Sequence, residues 1–496
     1  MKKLIALLLV AAMALSLLAA CGPSTPPATT AKPATPSTTA PKAPETTKAP
    51  ETTAPKAPET TAAPELSTDW IWEDKNISGE VTFAIPFKES QGMGAMVEEF
   101  NKSYPNIKVN IYTYSNTSDG QLQMRTAVMT GEIQVWAAFG LSSLNHMVEG
   151  ELGMDLTDLC EEEGIDLVAN WGTDAYVFDD TIYSFPCGGL SYYVAINMDA
   201  WKEAGLDKKY EATGGLPTEW TWEEYIEASK AMTKENADGT IRFGGSDYHS
   251  TNYFMYTICQ TTGKDMYYDE DGTSSYDSTV ALAALERKIK AELDDKIWYP
   301  QYRYRADSRQ GQMTFCEGEV ASVIIPNIVR FLHNKESFPN VNWITGFAPF
   351  PVVEKGQTNY MSGTPNFSHA GISSYISDDQ FDACWAWLKW YSTYGVKYLA
   401  VAGHQPAWKG TEPGSAVELI YGTKEEAAKW IDIESFERVV GRSDLPGYVE
   451  TNLTAYSGVS KALNDPMMQC INGEISPEEC LKQALEAAEE ALAEAE

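Results

Sequence analysis

Between residues 81 and 111 the chain commits itself to a layered α/β arrangement. Val81 to Phe87 is apolar and β-prone. Met93, Met96, Val97 and Phe100 then recur at i, i+3, i+4 and i+7, one face of a helix. Pro105-Asn106 breaks the chain, and Ile107, Val109 and Ile111 alternate as a half-buried strand does. Strand, helix and strand in such quick succession demand a right-handed crossover, which leaves the two strands parallel and a helix on one face of their sheet.

The same grammar continues downstream. A helix is expected over about 119–130, followed by a strand at Ile133 to Ala137. Tyr192 to Ile196 reads as a strand, and Asp199 to Ala204 as a short helix with Gly205 at its C-terminal cap. Thr221-Trp222-Glu223-Glu224 has the spacing of a capping box. Further strands are expected at Ile241 to Phe243, Glu319 to Ile324 and Ala370 to Ile376, with a helix at Asp378 to Tyr391. Ser476-Pro477-Glu478-Glu479 joins a capping box to proline at the first helical position and starts a terminal helix. The stretch from Ser67 to the end is too long for one ordinary core, so two lobes are expected. Ligands of open α/β sheets sit beyond the carboxyl ends of strands, where helix N-termini offer free amides. Two such lobes facing each other make a cleft that can close about a hinge.

The first 65 residues cannot join that core. Lys2 and Lys3 precede an uncharged, almost wholly apolar run from Leu4 to Leu18, and small residues follow. This is the pattern of a secretory signal peptide, and the run is short of the about 20 residues a membrane span wants. Leu18-Ala19-Ala20-Cys21 resembles the lipobox of bacterial lipoproteins. That resemblance implies cleavage after residue 20, a diacylglycerol on Cys21, and residence on the extracellular face of the bacterial cell membrane. Residues 23–65 are nearly all Pro, Thr, Ala, Lys and Glu, with Lys-Ala-Pro-Glu-Thr-Thr at 42–47, 48–53 and 56–61. Such a segment buries too little apolar area to offset its ordering entropy. Proline keeps it extended, with a reach on the order of 100 Å at most. It reads as a stalk.

The net charge of −33 argues against nucleic acid and anionic membrane surfaces as partners and favours a solvated monomer. Cysteines remain at 160, 187, 259, 316, 384, 470 and 480, an odd number without a CxxC pair. They read as small core residues rather than a disulfide framework or a metal site.

Several stretches, in order, resemble the carbohydrate-type extracellular solute-binding proteins of bacterial ABC importers. They are Met96-Val97-Glu98-Glu99-Phe100 through Pro105-Asn106-Ile107-Lys108-Val109; Tyr183-Ser184-Phe185-Pro186 through Ile196-Asn197 and Ala204-Gly205-Leu206; Leu216-Pro217 with Thr221-Trp222-Glu223-Glu224; Phe315-Cys316-Glu317-Gly318-Glu319-Val320-Ala321; and Gly473 through Leu481. One departure stands out: where that family usually has Pro-Asp-Val, this chain has Ile133-Gln134-Val135. The resemblance implies a two-lobed, periplasmic-binding-protein-like α/β fold with a hinge and an interlobe cleft. Lobe one would hold 78–189 and 369–404; lobe two would hold 190–368 and 405–496. It also implies a sugar or oligosaccharide as ligand, permease subunits as partners, no cofactor and no chemistry on the solute.

Sugars present apolar C–H faces and rings of hydroxyls; aromatic rings stack on the first, and carboxylates and amides bond the second. Polar residues just past strand ends are therefore candidates: Lys88 and Glu89, Asn116 and Asn327. Trp136 and Phe139 end the third strand, where the resemblance implies ligand contacts; Ser191 and Tyr192 lie where the chain crosses between lobes; the cluster Asp247, Tyr248 and His249 matches a contact region of that family; and Tyr456 precedes the C-terminal helices, where the resemblance implies a stacking aromatic. Other readings are a non-sugar solute, service to a membrane sensor, a lectin-like surface protein, and a stalked glycosidase. The glycosidase would need two carboxylates flanking one bond. No G-x-S-x-G elbow appears. Asp269-Glu270-Asp271-Gly272 lacks the EF-hand spacing and reads as a turn, and five scattered histidines do not suggest zinc.

Overall fold

The computed structural model describes residues 66, 68–72, 74–173, 176–178, 180–268, 272–365, 367–450 and 456–495. All that is described lies in one compact unit, Ala63–Glu496. The expected signal peptide, Cys21, the stalk and the turn at 269–271 lie outside the described residues.

The strands that organise the molecule are β1 (Gly79–Ile85), β2 (Ile107–Thr113), β3 (Val135–Phe139), β4 (Phe185–Gly189), β5 (Tyr193–Asn197), β6 (Ser322–Ile325), β7 (Thr345–Pro349), β8 (Ser368–Ile372) and β9 (Gln405–Pro406). Six of them form one sheet in the order β9-β4-β8-β3-β1-β2. β1 pairs parallel with both β2 and β3, as the opening crossover requires; β8 and β9 run antiparallel to their neighbours. The second sheet, β6-β5-β7, is antiparallel throughout. Its central strand is buried from Tyr193 to Ile196, which explains why that segment reads as an unbroken apolar run.

Each sheet carries its own core. Phe83, Phe100, Trp387, Trp390 and Tyr391 pack with the first sheet, where Phe100 lies 4.9 Å edge-on from Trp387. This core is closed by α1 (Met93–Ser103) and by a long helix at Asp378–Trp390. It also takes in Trp70 and Ile71, both buried, upstream of the expected lobe boundary. Around the second sheet pack Trp201, Trp220, Tyr225 and Trp298, and the terminal helix Pro477–Ala495 adds Cys480, Leu481, Ala484 and Ala488. The seven described cysteines are free thiols, all buried.

Several strand ends differ from the sequence expectation: the strand expected at Glu319 begins only at Ser322, that at Tyr192 begins at Tyr193, and that at Ile241 stops at Arg242; of three further shifts, two matter for function. β1 spans Gly79–Ile85, paired residue by residue with Ile107 to Thr113, so Phe87 lies past its carboxyl end. Ile133 is not yet strand, because its amide and that of Glu132 bond to the Ala127 carbonyl at the end of α2 (Ser118–Met129). β3 therefore runs on to Phe139. β8 ends at Ile372, where the Ser373 hydroxyl accepts the Tyr375 amide at 3.0 Å and turns the chain. Residues 405–408, expected with the second lobe, lie with the first sheet. β9 pairs with β4, the Ala407 amide bonds Cys187, and Trp408 packs in the first core.

The capping box at 221 forms as the spacing predicts. The Thr221 hydroxyl accepts the Glu224 amide at 3.3 Å, and the Glu224 carboxylate accepts the Thr221 amide at 2.9 Å. Thr221→Ala is expected to cost about 1 kcal/mol, read as a lower urea midpoint with unchanged slope.

Candidate functional site

Aromatic side chains gather at the carboxyl ends of the first sheet. Phe87 follows β1, Phe139 closes β3, Phe367 precedes β8 and His404 precedes β9. Their ring centroids lie 5.3–5.7 Å apart in five pairs. His404 is buried, and desolvation pulls its pKa down to about 3, so the imidazole is neutral. Both of its ring nitrogens lack a hydrogen-bond partner among the described residues.

A second gathering belongs to the other lobe and consists of tyrosines. Tyr192, at the start of β5, lies 4.3 Å from Tyr256, 5.8 Å from Tyr253 and 6.5 Å from Tyr448. Tyr248 extends the group, 4.7 Å from Tyr253 and 3.8 Å from His249. The Tyr192 and Tyr256 hydroxyls share a 2.6 Å hydrogen bond. Tyr192, Tyr248 and Tyr253 keep partial exposure, so the group has an open side.

The two gatherings meet at three points. Gly403 is left-handed (φ +87°), and a Cβ there would stand 2.8 Å from that of Asn327, so only glycine permits this approach. Arg330 donates to the Ala402 carbonyl at 3.3 Å. Glu450, two residues past Tyr448, accepts the Leu141 amide at 3.3 Å. Leu141 is the first residue of α3 (Leu141–Glu149), reached through the positive-φ Gly140. Glu450 is partly accessible and yet strongly desolvated. That burial, with Asp265 nearby and only the Leu141 amide opposing, raises its carboxyl to about 8.

The residues anticipated from sequence distribute unevenly around this junction. Phe139, Tyr192, Tyr248, His249 and Asn327 lie in or beside it. Ser191 is buried next to it, its hydroxyl 3.3 Å from that of Thr364. Trp136 does not belong to it: it is fully buried, edge-on to His369, with Gly371 packed on its ring. It stands three residues short of the end of β3, so its side chain points into the core. Asp247 is also turned inward. Its oxygens lie 2.9 and 2.8 Å from the buried Lys288 ammonium. Its neighbour Tyr248 keeps partial exposure and packs against Tyr253 and His249 instead. Lys88, Glu89 and Asn116 are exposed; Lys88 begins a short 3-10 turn and Asn116 bonds Gln121 at 3.0 Å. The side chain of Tyr456 and residues 451–455 lie outside the described residues.

Gln134, which replaces the customary aspartate, has a structural role. It accepts the Thr82 amide at 2.8 Å and donates to the Gly131 carbonyl at 2.7 Å, tying β1 to the loop before β3. Glu450, Phe87, Phe367, His404 and the tyrosines at 253, 256 and 448 escaped the sequence reading. The Tyr253–Tyr256 spacing, three apart on helical turns, was a usable signal; the rest join only through long-range contacts. Among the described residues, no group of three or more His, Cys, Asp or Glu converges to hold a metal ion.

This arrangement suits a solute with apolar faces and polar rims. The sequence pattern of the bacterial extracellular solute-binding proteins matches residues 86–398. No curated protein is matched by sequence. Among solved structures, a sugar transporter protein of Rhizobium etli in an open conformation superposes with a TM-score of 0.66 at 16% identity, covering 83% of this chain and 99% of that one. An ABC substrate-binding protein of Listeria monocytogenes in complex with cycloalternan gives 0.61 at 18%, covering 84% and 99%. UgpB of Mycobacterium tuberculosis in complex with glycerophosphocholine gives 0.59 at 14%, covering 84% and 99%. The two-lobed, periplasmic-binding-protein-like architecture is thus common to all of them.

Proposed function

The chain belongs to the bacterial extracellular solute-binding proteins, and from that premise we propose that it captures a sugar or oligosaccharide between its lobes and hands it to the permease of an ABC importer. The observation that carries the reading is the junction itself: phenylalanine and histidine rings from one lobe, tyrosine rings from the other, and the carboxyl group of Glu450 between them. Aromatic faces take the C–H faces of pyranose rings, and the tyrosine hydroxyls, Asn327 and Glu450 take hydroxyl groups. Phe139 would stack from the first lobe and Tyr253 from the second. His249 and Tyr248 would line the rim, with Ser191 buried behind them.

Delivery follows from geometry of this kind. A solute held by both lobes favours the closed form by its differential affinity for it, and the closed form presents both lobe faces to a partner. Cys21 would hold the protein at the outer face of the membrane as a lipid-anchored monomer, with residues 23–65 as its tether.

A thermal-shift screen of the protein against mono- and oligosaccharides tests this. A sugar that raises the midpoint and is recovered intact supports capture; cleaved sugar would instead point to hydrolysis by the carboxyl groups near Tyr448. With that sugar, Tyr253→Ala is expected to weaken binding about tenfold, in line with the loss of one stacked ring. Unchanged affinity in the variant would remove Tyr253 from the site.

A further inference from the structure

The junction has an electrostatic character that neutral sugars do not require. Glu450 forms no ion pair among the described residues. The charge that bears on it most is a second carboxylate, Asp265, itself buried, with one oxygen accepting the Tyr267 amide at 2.9 Å. The other titratable groups that feel Glu450 are Tyr176 from the first lobe and Tyr192, Tyr267 and Cys259 from the second, all neutral. The buried cation of the second lobe, Lys288, is engaged by Asp247 and Glu292. The amide at the start of α3 offsets part of the cost of the charge, but burial and Asp265 outweigh it.

A carboxylate withdrawn from water beside a second one is stabilised most by a cation. The rings close to it supply a matching surface. Tyr192, Tyr253, Tyr256 and Tyr448 make five ring pairs with centroids 4.3–6.5 Å apart, and the negative faces of such rings attract ammonium groups. The chain's net charge of −33 further favours the approach of a cationic solute.

We propose that the captured saccharide carries a protonated amine, an amino sugar or an amine-linked saccharide, whose ammonium is received by Glu450 within the tyrosine cluster. This rests on the sugar-capture reading above and narrows its substrate class. Binding converts Glu450 from a protonated acid to a carboxylate, and the proton leaves to solvent. A neutral sugar would use the same group as a hydrogen-bonding partner only and would release no proton.

The test is titration calorimetry at pH 7 with matched sets: glucosamine, galactosamine and glucosamine oligosaccharides against their N-acetylated and unsubstituted counterparts of equal length. The aminated member is expected to bind at least tenfold tighter, with a heat that varies with the ionisation enthalpy of the buffer. Glu450→Gln is expected to abolish the preference, and Glu450→Asp to retain it. N-acetylated or unsubstituted sugars binding as tightly as aminated ones would overturn the inference and leave sugar capture standing. Binding of no saccharide in any set would overturn both. A preference that survives Glu450→Gln would show that another group receives the amine.

Discussion

Lys288→Met is expected to lower the stability of the fold by about 3–5 kcal/mol. Its ammonium is inaccessible to solvent and sits between Asp247, bonded through both oxygens at 2.9 and 2.8 Å, and Glu292, one helical turn along. Gln301 completes the cluster, its amide donating to Glu292 at 2.8 Å. Burial lowers the affinity of Lys288 for its proton, but the two carboxylates more than restore it. Desolvation drives Glu292 up to about 7 and raises Asp247 as well, against the pull of the lysine. Removing the cation leaves two acids facing each other away from water, which is the costly half of a buried pair. The urea midpoint should fall accordingly. Adding Asp247→Asn and Glu292→Gln should recover more than half of the loss, because no charge then remains uncompensated. A single variant as stable as the parent would show that the cluster is hydrated in solution.

The ligand-free protein is expected to lose about 1 kcal/mol of stability between pH 6.5 and 8. The sign follows from Glu450. Its carboxyl is raised from 4.5 to about 8, so the folded protein holds a proton that the unfolded chain has already released. Stability from such a group is complete below 4.5 and is lost as pH climbs through 8. Glu292, raised to about 7, adds a smaller part at the lower edge of the window. The buried histidines act in the opposite direction. His249 and His369 are depressed to about 4 and His404 to about 3, mainly by desolvation, so they cost stability as pH falls through 6.5, where the unfolded chain takes up protons that they refuse. At pH 6.5 the unfolded imidazoles are still half protonated, so between 6.5 and 8 the three together return about 1 kcal/mol and offset part of the loss. Urea midpoints at the two pH values measure the difference, and Glu450→Gln should remove most of it. A flat profile in the parent would mean that water reaches Glu450 freely, which would also weaken its proposed role toward amines.

Much of the first lobe was legible because its signals are local. The helix face at Met93, Met96 and Phe100, the break at Pro105 and the alternation from Ile107 each lie within a few residues, and together they impose a parallel pair. The strand ends were less secure. Ile133 looks like strand but is held by the end of the preceding helix, and that moved Phe139 from beyond β3 into its last position.

The junction was legible only in fragments. Phe139 was singled out at the end of the third strand and Tyr192 at the crossing between lobes, and both stand at the junction. Trp136 obeys the same chain position loosely but is three residues too early, and its ring fills the core. Asp247 has the chemistry of a sugar ligand, yet Lys288, 41 residues away in sequence, claims it. Glu450 carried no signal at all, because its meaning depends on Leu141, 309 residues distant.

By itself, then, the amino-acid sequence determined the α/β class and the two-lobed fold, and it set the expectation of a secreted, tethered first segment, since hydrophobic period, proline content and capping are properties of neighbouring residues. Only the tertiary structure decided which side chains line the junction and which are core. A polar or aromatic residue acquires its role from what desolvates it and what pairs with it, and those partners arrive from segments that nothing local connects.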